Sequence, residues 1–251
     1  MKVLIGSRER LDFSAKRIFG KRIVLFVEPQ FYEEYKEKHP DLEIVDIKEN
    51  NKGIGYLYNQ FVDYTLKNGE KYYLCCDDDI YGLKKRTTGK LENVKEEDID
   101  RFLKEGESII RTMELAKLGA SFQAYNWTYS GILKFNVPVW ALVFIDAEAI
   151  KKCGGYDEDI KVLNDYEMQA RVLSEGYRTA SWYEFAFAHK MRTGKGGAEY
   201  LYDNNSVVDY ACTKIFQRYK DFCKIIVKDN HRMNEVRINF KKLYENASVK
   251  I

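Results

Sequence analysis

The sequence predicts an α/β protein built on a doubly wound, largely parallel sheet, and two observations carry that prediction. Short apolar, β-branched runs alternate with stretches of helical periodicity through the first half, and one such run ends in three consecutive aspartates, Asp77, Asp78 and Asp79. A β-α-β order implies parallel strands joined by helical crossovers, and the carboxyl ends of such strands are where an open sheet presents its chemistry. Residues 3–6, 23–27 and 42–47 read as the first three strands. Residues 56–67 have helical spacing, and 72–76 form a fourth strand that ends in the acidic turn. Ile99, Phe102, Leu103, Ile109, Ile110 and Met113 share one helical face, which predicts a long crossover helix over 96–118. The apolar runs 121–125, 137–145 and 179–188 add strands to the same sheet, and a helix is expected over 166–175.

At 251 residues with 45% hydrophobic and 14% aromatic content, the chain can bury a sizeable core. With 3 Pro and no low-complexity segment, a disordered linker is excluded. No apolar run approaches the ~18 residues of a membrane span, and the apolar part of the N-terminus is too short for a secretory signal. Five cysteines without a Cys-x-x-Cys spacing, two of them adjacent at Cys75 and Cys76, fit free thiols in a reducing cytoplasm. The net charge of +2 conceals an asymmetry: residues 206–251 hold ten Lys/Arg against five Asp/Glu. The expected division is therefore a domain over 1–205 and a basic helical extension over 206–251 packed on it. Val207, Val208, Ala211, Ile215, Phe216 and Tyr219 recur at helical spacing, predicting an amphipathic helix followed by a second short one. Its basic face suits phosphates or an anionic membrane, or is the solvated face of a helix packed on the body.

Three adjacent carboxylates repel one another unless a cation or strong donors compensate. Hard oxygens at Asp77 and Asp79 suit Mn²⁺ or Mg²⁺ carrying a diphosphate, with Asp78 orienting ribose or water, whereas the plainer reading is an acidic turn. His189, at the end of an apolar run, is either a third ligand or a hydrogen-bonded strand-end histidine. Asp165 is expected as a general base, or as the N-cap of its helix. Arg192 and Lys195, set among three glycines, read as a lid over an anionic diphosphate or as a surface loop. Trp127, Tyr129 and Trp140 are candidates to stack on a sugar or base, or are core material.

Asn50-Asn51-Lys52-Gly53, the following Asn59 and the acidic strand end form a series that resembles the nucleotide-sugar-binding half of GT-A glycosyltransferases. Gly154-Gly155-Tyr156-Asp157-Glu158, then Asn164-Asp165-Tyr166-Glu167, Arg171 and Gly176-Tyr177, resemble the acceptor-side signature of the inverting family-two enzymes. The usual Glu-Asp pair is here Asn164-Asp165, and Tyr58 stands where an Arg often precedes the helix Asn. Glu28 is the nearest candidate for the acid that grips base or ribose. Ser7-Arg8-Glu9-Arg10, Val27-Glu28-Pro29 and Asp77-Asp78-Asp79-Ile80 resemble the TET-associated glycosyltransferases, a branch linked to hydroxymethylated bases in phage DNA.

The resemblance implies a GT-A fold, a mixed Rossmann-like sheet with a C-terminal helical tail, and divalent-metal-dependent, inverting transfer from a nucleoside-diphosphate sugar. It implies a donor site at Ser7, Arg8, Glu28, Asn51, Gly53, Asn59, Asp78, Arg192 and Lys195, and acceptor contacts at Trp127, Trp140 and Tyr156. A hydroxymethylated DNA base is the expected acceptor. The alternatives are a saccharide or lipid-linked acceptor for a surface polymer, or a non-catalytic module that binds nucleotide sugars or nucleic acid.

Overall fold

The computed structural model describes residues 1–189, 197, 199–202, 204–227 and 235–248. Strands β1 (Val3–Gly6), β2 (Ile23–Val27) and β3 (Glu43–Asp46) pair in parallel, and β1 pairs in parallel on its other side with β4 (Tyr72–Cys76). The crossovers are α1 (Lys16–Phe19), α2 (Tyr32–Lys38) and α3 (Ile54–Lys67). After the acidic turn come a hairpin, β5 (Ile80–Thr87) and β6 (Lys90–Asn93), then α4 (Glu96–Thr112) and β7 (Leu115–Phe122). The chain continues through β8 (Leu133–Phe135), β9 (Leu142–Asp146), α5 (Ala147–Lys152), α6 (Asn164–Ser174) and β10 (Arg178–His189). The sheet order is β3-β2-β1-β4-β9-β7-β10-β5-β6, with β8 also paired to β10. Because β9 runs antiparallel to both β4 and β7, the sheet is mixed.

Period-two alternation places the core on both faces of the sheet. Val3, Ile5, Leu25, Leu74 and Phe144 join α4 residues Ile99, Phe102 and Ile110 on one side. Leu4, Val24, Tyr73 and Val143 meet Phe61 and Val62 of α3 and Met168 of α6 on the other. Gly106 of α4 is required by close approach, since a Cβ there would stand 2.2 Å from the Phe144 ring.

Several elements differ from the sequence expectation. The crossover helix stops at Thr112 because Glu114 turns into the left-handed region (φ 50°), and 115–122 becomes a strand. Leu115 to Ser121 are buried throughout, between β9 and β10, so their apolar spacing carries no strand signature. The run 121–125 is mostly a 3-10 turn, Gln123–Thr128. Only the end of 137–145 is strand, following the left-handed Ala141 (φ 62°).

The last part of the described chain comprises α7 (Glu199–Tyr202), α8 (Asn205–Tyr219), a hairpin of β11 (Cys223–Ile226) and β12 (Glu235–Ile238), and α9 (Phe240–Ser248). Val208, Ala211, Cys212 and Ile215 of α8 pack with Ala170 and Leu173 of α6 and with Phe240 and Leu243 of α9 in a third core. Glu167, 1% exposed, sits at its edge: its carboxylate accepts from Arg171 at 2.7 and 2.8 Å, from Arg218 at 2.9 Å and from Tyr219 at 3.3 Å. Arg218 also pairs with Asp157, and Lys214 lies 3.4 Å from Asp159. Two of the tail cations expected to face phosphates are therefore tied to the body. Among the described residues no helix is long and apolar enough to cross a membrane.

Removing one partner of a buried charge cluster leaves the others uncompensated. Glu167→Ala is expected to destabilise the protein by about 3 kcal/mol, read as a lowered urea midpoint with accelerated proteolysis of the segment after Tyr219.

Candidate functional site

A cleft of about 340 Å³ opens at the carboxyl ends of β1, β2 and β4. The strand order reverses there, β2 lying to one side of β1 and β4 to the other, which is the switch point where open α/β sheets bind ligands. Ser7, Arg8, Glu28 and Gly53 line one wall, and Asp77, Asp78, Asp79, Trp140, Asp165 and His189 the other.

The three aspartates have separate surroundings. Asp78, 5% exposed, accepts from Ser7 Oγ at 2.7 Å and from Arg10 Nη1 at 2.6 Å. Burial raises its pKa, and Arg10 and Ser7 oppose the rise. Asp79 meets Arg10 Nη1 at 3.2 Å through Oδ2 and His189 Nε2 at 2.8 Å through Oδ1. Asp77 Oδ2 lies 3.7 Å from the same imidazole nitrogen. Burial and the Asp79 charge push the Asp77 carboxyl up to about 8. For His189 burial disfavours the charge, yet the hydrogen bond and charge of Asp79 prevail and raise its pKa.

Asp77, Asp79 and His189 each offer a ligand atom, all within 4.8 Å of one another. The set is two hard carboxylates and an imidazole, suited to Mn²⁺ or a similar dication. Asp77 and Asp79 repel across the turn, and His189 Nδ1 is buried without a hydrogen-bond partner among the described residues. These residues fit a dication.

On the opposite wall, Tyr35 ties Ser7 to the following turn: its hydroxyl lies 3.0 Å from Ser7 Oγ and accepts from Arg10 N at 2.9 Å. Glu28 Oε1 accepts from Arg8 at 3.2 Å and from Asn51 N at 2.9 Å, while Arg8 also donates to Asn51 Oδ1 at 2.7 Å. Gly53 (φ 91°) opens α3, and a Cβ there would meet the Lys161 side chain at 2.9 Å.

Asp165 is the second residue of α6. The cap position belongs to Leu163, left-handed at φ 61° and without a side-chain bond, which removes the N-cap alternative. Burial raises the Asp165 pKa and the Lys117 charge lowers it. Lys117, 1% exposed on β7, donates from Nζ to the Asp165 main-chain oxygen at 3.1 Å. It is a functional candidate that the sequence reading missed, and its signal was a lone cation inside an apolar run. Arg10, quoted within a motif but given no role, is the second.

Five expected residues do not line the cleft, among them Tyr129, whose hydroxyl donates to Leu133 O at 3.1 Å. Asn51 acts on Arg8 and Glu28 from outside it. Asn59 clamps the Gly154-Gly155 turn, accepting from Tyr156 N at 2.8 Å and donating to Tyr156 O at 3.0 Å. The Tyr156 ring is 4% exposed, against Tyr58 at 5.0 Å, and has no free face for an acceptor. Trp127 is 49% exposed and carries Arg86 over its ring at 4.9 Å. Arg192 and Lys195 lie outside the described residues; Gly197, just beyond them, donates its N–H to Arg8 O at 2.9 Å.

A mixed sheet with this strand order, an Asp-x-Asp pair at the end of β4 and a histidine at the end of β10 defines the GT-A type of glycosyltransferase fold. Residues 2–197 match the family described as TET-Associated Glycosyltransferase, and the chain belongs to that family. No curated protein matches it in sequence. Among solved structures it is similar to S. aureus TarS 1–349 in complex with UDP, at 14% identity and TM-score 0.51. It is also similar to mannosyltransferase PcManGT from Pyrobaculum calidifontis in complex with GDP-Man and Mn²⁺, at 11% identity and TM-score 0.52. Each likeness covers 86% of this chain, which spans 66% and 64% of those two proteins; both bear on the fold.

Truncating Asn59 leaves two inward-facing main-chain groups of Tyr156 unpaired. Asn59→Ala is expected to cost about 1–3 kcal/mol, measured by chemical denaturation.

Proposed function

We propose that this protein transfers a sugar from a nucleoside-diphosphate sugar to a hydroxyl acceptor with inversion, and that the acceptor is a hydroxymethylated base in DNA. The observation that carries the reaction is the convergence of Asp77, Asp79, His189 and Asp165 on one cleft. In this reading Asp77, Asp79 and His189 hold Mn²⁺ or Mg²⁺, which when bound supplies the positive charge that a departing diphosphate requires. Ser7, Arg8, Glu28 and Gly53 form the nucleoside wall, with Asn51 holding Arg8 and Glu28 from outside the cleft. Arg192 and Lys195, outside the described residues, are assigned to the diphosphate on their charge.

Asp165, as the carboxylate, takes the acceptor hydroxyl proton. The acceptor oxygen forms its bond to the anomeric carbon as the bond to the diphosphate oxygen breaks, and the diphosphate leaves with the electron pair. Attack from the side opposite the leaving group inverts the anomeric centre. Lys117 fixes the main chain of the base and offsets part of the rise that burial imposes on its pKa. The family description, which names an association with TET, supports the DNA acceptor. The five free cysteines suit a cytoplasmic location. Residues 1–205 are the catalytic unit in this reading and 206–251 an extension docked on it.

Asp79→Ala is expected to abolish Mn²⁺-dependent binding of the nucleotide sugar, followed by calorimetry, with the fold retained; unchanged metal-dependent binding refutes the metal assignment. Asp165→Asn should retain donor affinity and slow transfer by roughly 10²–10⁴-fold, the loss typical of a missing general base. Near-normal turnover in a single-turnover assay removes Asp165 from that role.

A further inference from the structure

The two cations of α8, Lys214 and Arg218, are bonded inward to acids of the body. The strand that leaves the metal-site turn offers a different surface. β5 starts at Ile80, directly after Asp79, and by Arg86 it has travelled roughly 20 Å at ~3.3 Å per residue. Its register fixes what each face carries. Leu83 lies opposite Phe187 and Lys85 opposite Phe185, and this face turns toward α4, where Lys85 approaches Asp98 at 3.7 Å. Gly82, Lys84 and Arg86 alternate onto the other face.

The Gln123–Thr128 turn, which carries the exposed Tyr125 and Trp127, meets that face at Arg86. Arg86 stacks on Trp127 at 4.9 Å and donates to Tyr129 O at 2.9 Å, so its guanidinium is held in place without an acid among the described residues. Lys134 sits over the Tyr129 ring at 5.5 Å and adds a further cation. Lys84 has no ion-pair partner among the described residues. Tyr125 is 62% exposed, the highest value among the large aromatics described. It meets Phe122 edge-on at 5.6 Å; Phe122 meets Trp140 at 5.4 Å; and Trp140 meets His189 at 5.4 Å. An aromatic series thus leads from the metal-site histidine, along the Phe187 side of the sheet, out to the turn that carries Trp127.

We propose that this face, Lys84, Arg86 and Lys134 with Tyr125 and Trp127, is the docking surface for the acceptor DNA. The inference rests on the DNA-acceptor reading above. Cations without acids suit phosphates, and exposed rings suit nucleobases, whose π-faces stack irrespective of sequence. A base taken out of the stack to reach Asp165 leaves its complementary base unpaired and its neighbours without a stacking contact, and Tyr125 and Trp127 are exposed rings able to stack on bases of the surrounding strand. A neutral saccharide would use the rings but has no use for three cations.

The test is fluorescence anisotropy of wild type, Lys84→Gln, the Lys84→Gln/Arg86→Gln double variant and Trp127→Ala on a short duplex containing 5-hydroxymethylcytosine, over a range of salt. Donor binding by calorimetry is the control. Each lost phosphate contact should reduce the steepness of log affinity against log salt by about 0.9, hence by about 1.8 in the double variant. Trp127→Ala should weaken binding at least about fivefold, with the salt slope unchanged. Lys84→Gln guards against a folding artefact, because no partner is lost with it. If wild-type protein binds and glycosylates the duplex while the variants keep its slope and affinity, the docking surface is overturned and the DNA acceptor stands. If wild-type protein shows no salt-sensitive affinity for DNA, the acceptor reading and this surface both fall. Binding of a neutral oligosaccharide that is weakened by Trp127→Ala alone would assign the face to a saccharide instead.

Discussion

Three carboxylates in consecutive positions at the end of a buried strand form the constraint that the rest of the structure answers. Side by side in a partly desolvated turn they repel, and each must be met by a different group. Asp78 points back toward β1 and is neutralised by Ser7 and Arg10, which requires β1 and β4 to be neighbours with their carboxyl ends level. Asp79 is shared between Arg10 and His189, which requires β10 to end across the turn. Asp77 has only the His189 imidazole, at 3.7 Å, to meet it, and burial and the Asp79 charge raise its pKa. Local repulsion and long-range topology are thus one problem: the strands that supply the compensating groups are far apart in sequence and meet only in this sheet order.

Neutral contacts set how closely the second half approaches α3. Gly55 allows α3 to approach the 157–164 segment so closely that a Cβ would stand 2.7 Å from both Asn164 Nδ2 and Asp157 O. Asn59 of the same helix grips the Tyr156 main chain, and Asn164 Nδ2 donates to Asp157 O. These bonds set where α6 begins, hence where Asp165 faces the cleft. The Gly-Gly-aromatic-Asp turn therefore positions the candidate base through its backbone, with its aromatic ring buried in the scaffold.

Much of this was legible in the sequence wherever one signal dominated. The first four strands are short apolar runs bounded by polar turns. Asp77, Asp79, Asp165 and His189 stand out as polar groups at the ends of apolar or helical segments, and all four reach the cleft. Legibility failed where burial or exposure blurred the period. Leu115 to Ser121 are buried on both faces, so the preceding helical spacing ran on into a strand. No strand is expected at β5, where Gly82 and three consecutive cations leave no apolar alternation to read. The separation of Asp78 from its neighbours was invisible, since it depends on Arg10 and Ser7, some seventy residues away. Lys117 escaped because one cation in an apolar run says nothing about which main-chain oxygen it will meet.

Charge shows the same contrast between composition and geometry. The excess of cations after residue 205 looked like a surface for a partner, but Arg218 and Lys214 spend theirs on Asp157, Asp159 and Glu167 of the body. Those acids belong to the segment that carries the candidate base, so the basic tail and the acidic motif are in part each other's counterions. A salt bridge that docks a helix leaves little field to steer a distant polyanion, because the paired charges cancel beyond a few ångströms. Cations held by rings and carbonyls keep their charge outward. Two of the ten cations counted at the end of the chain thus serve the scaffold behind Asp165 and not an outward surface.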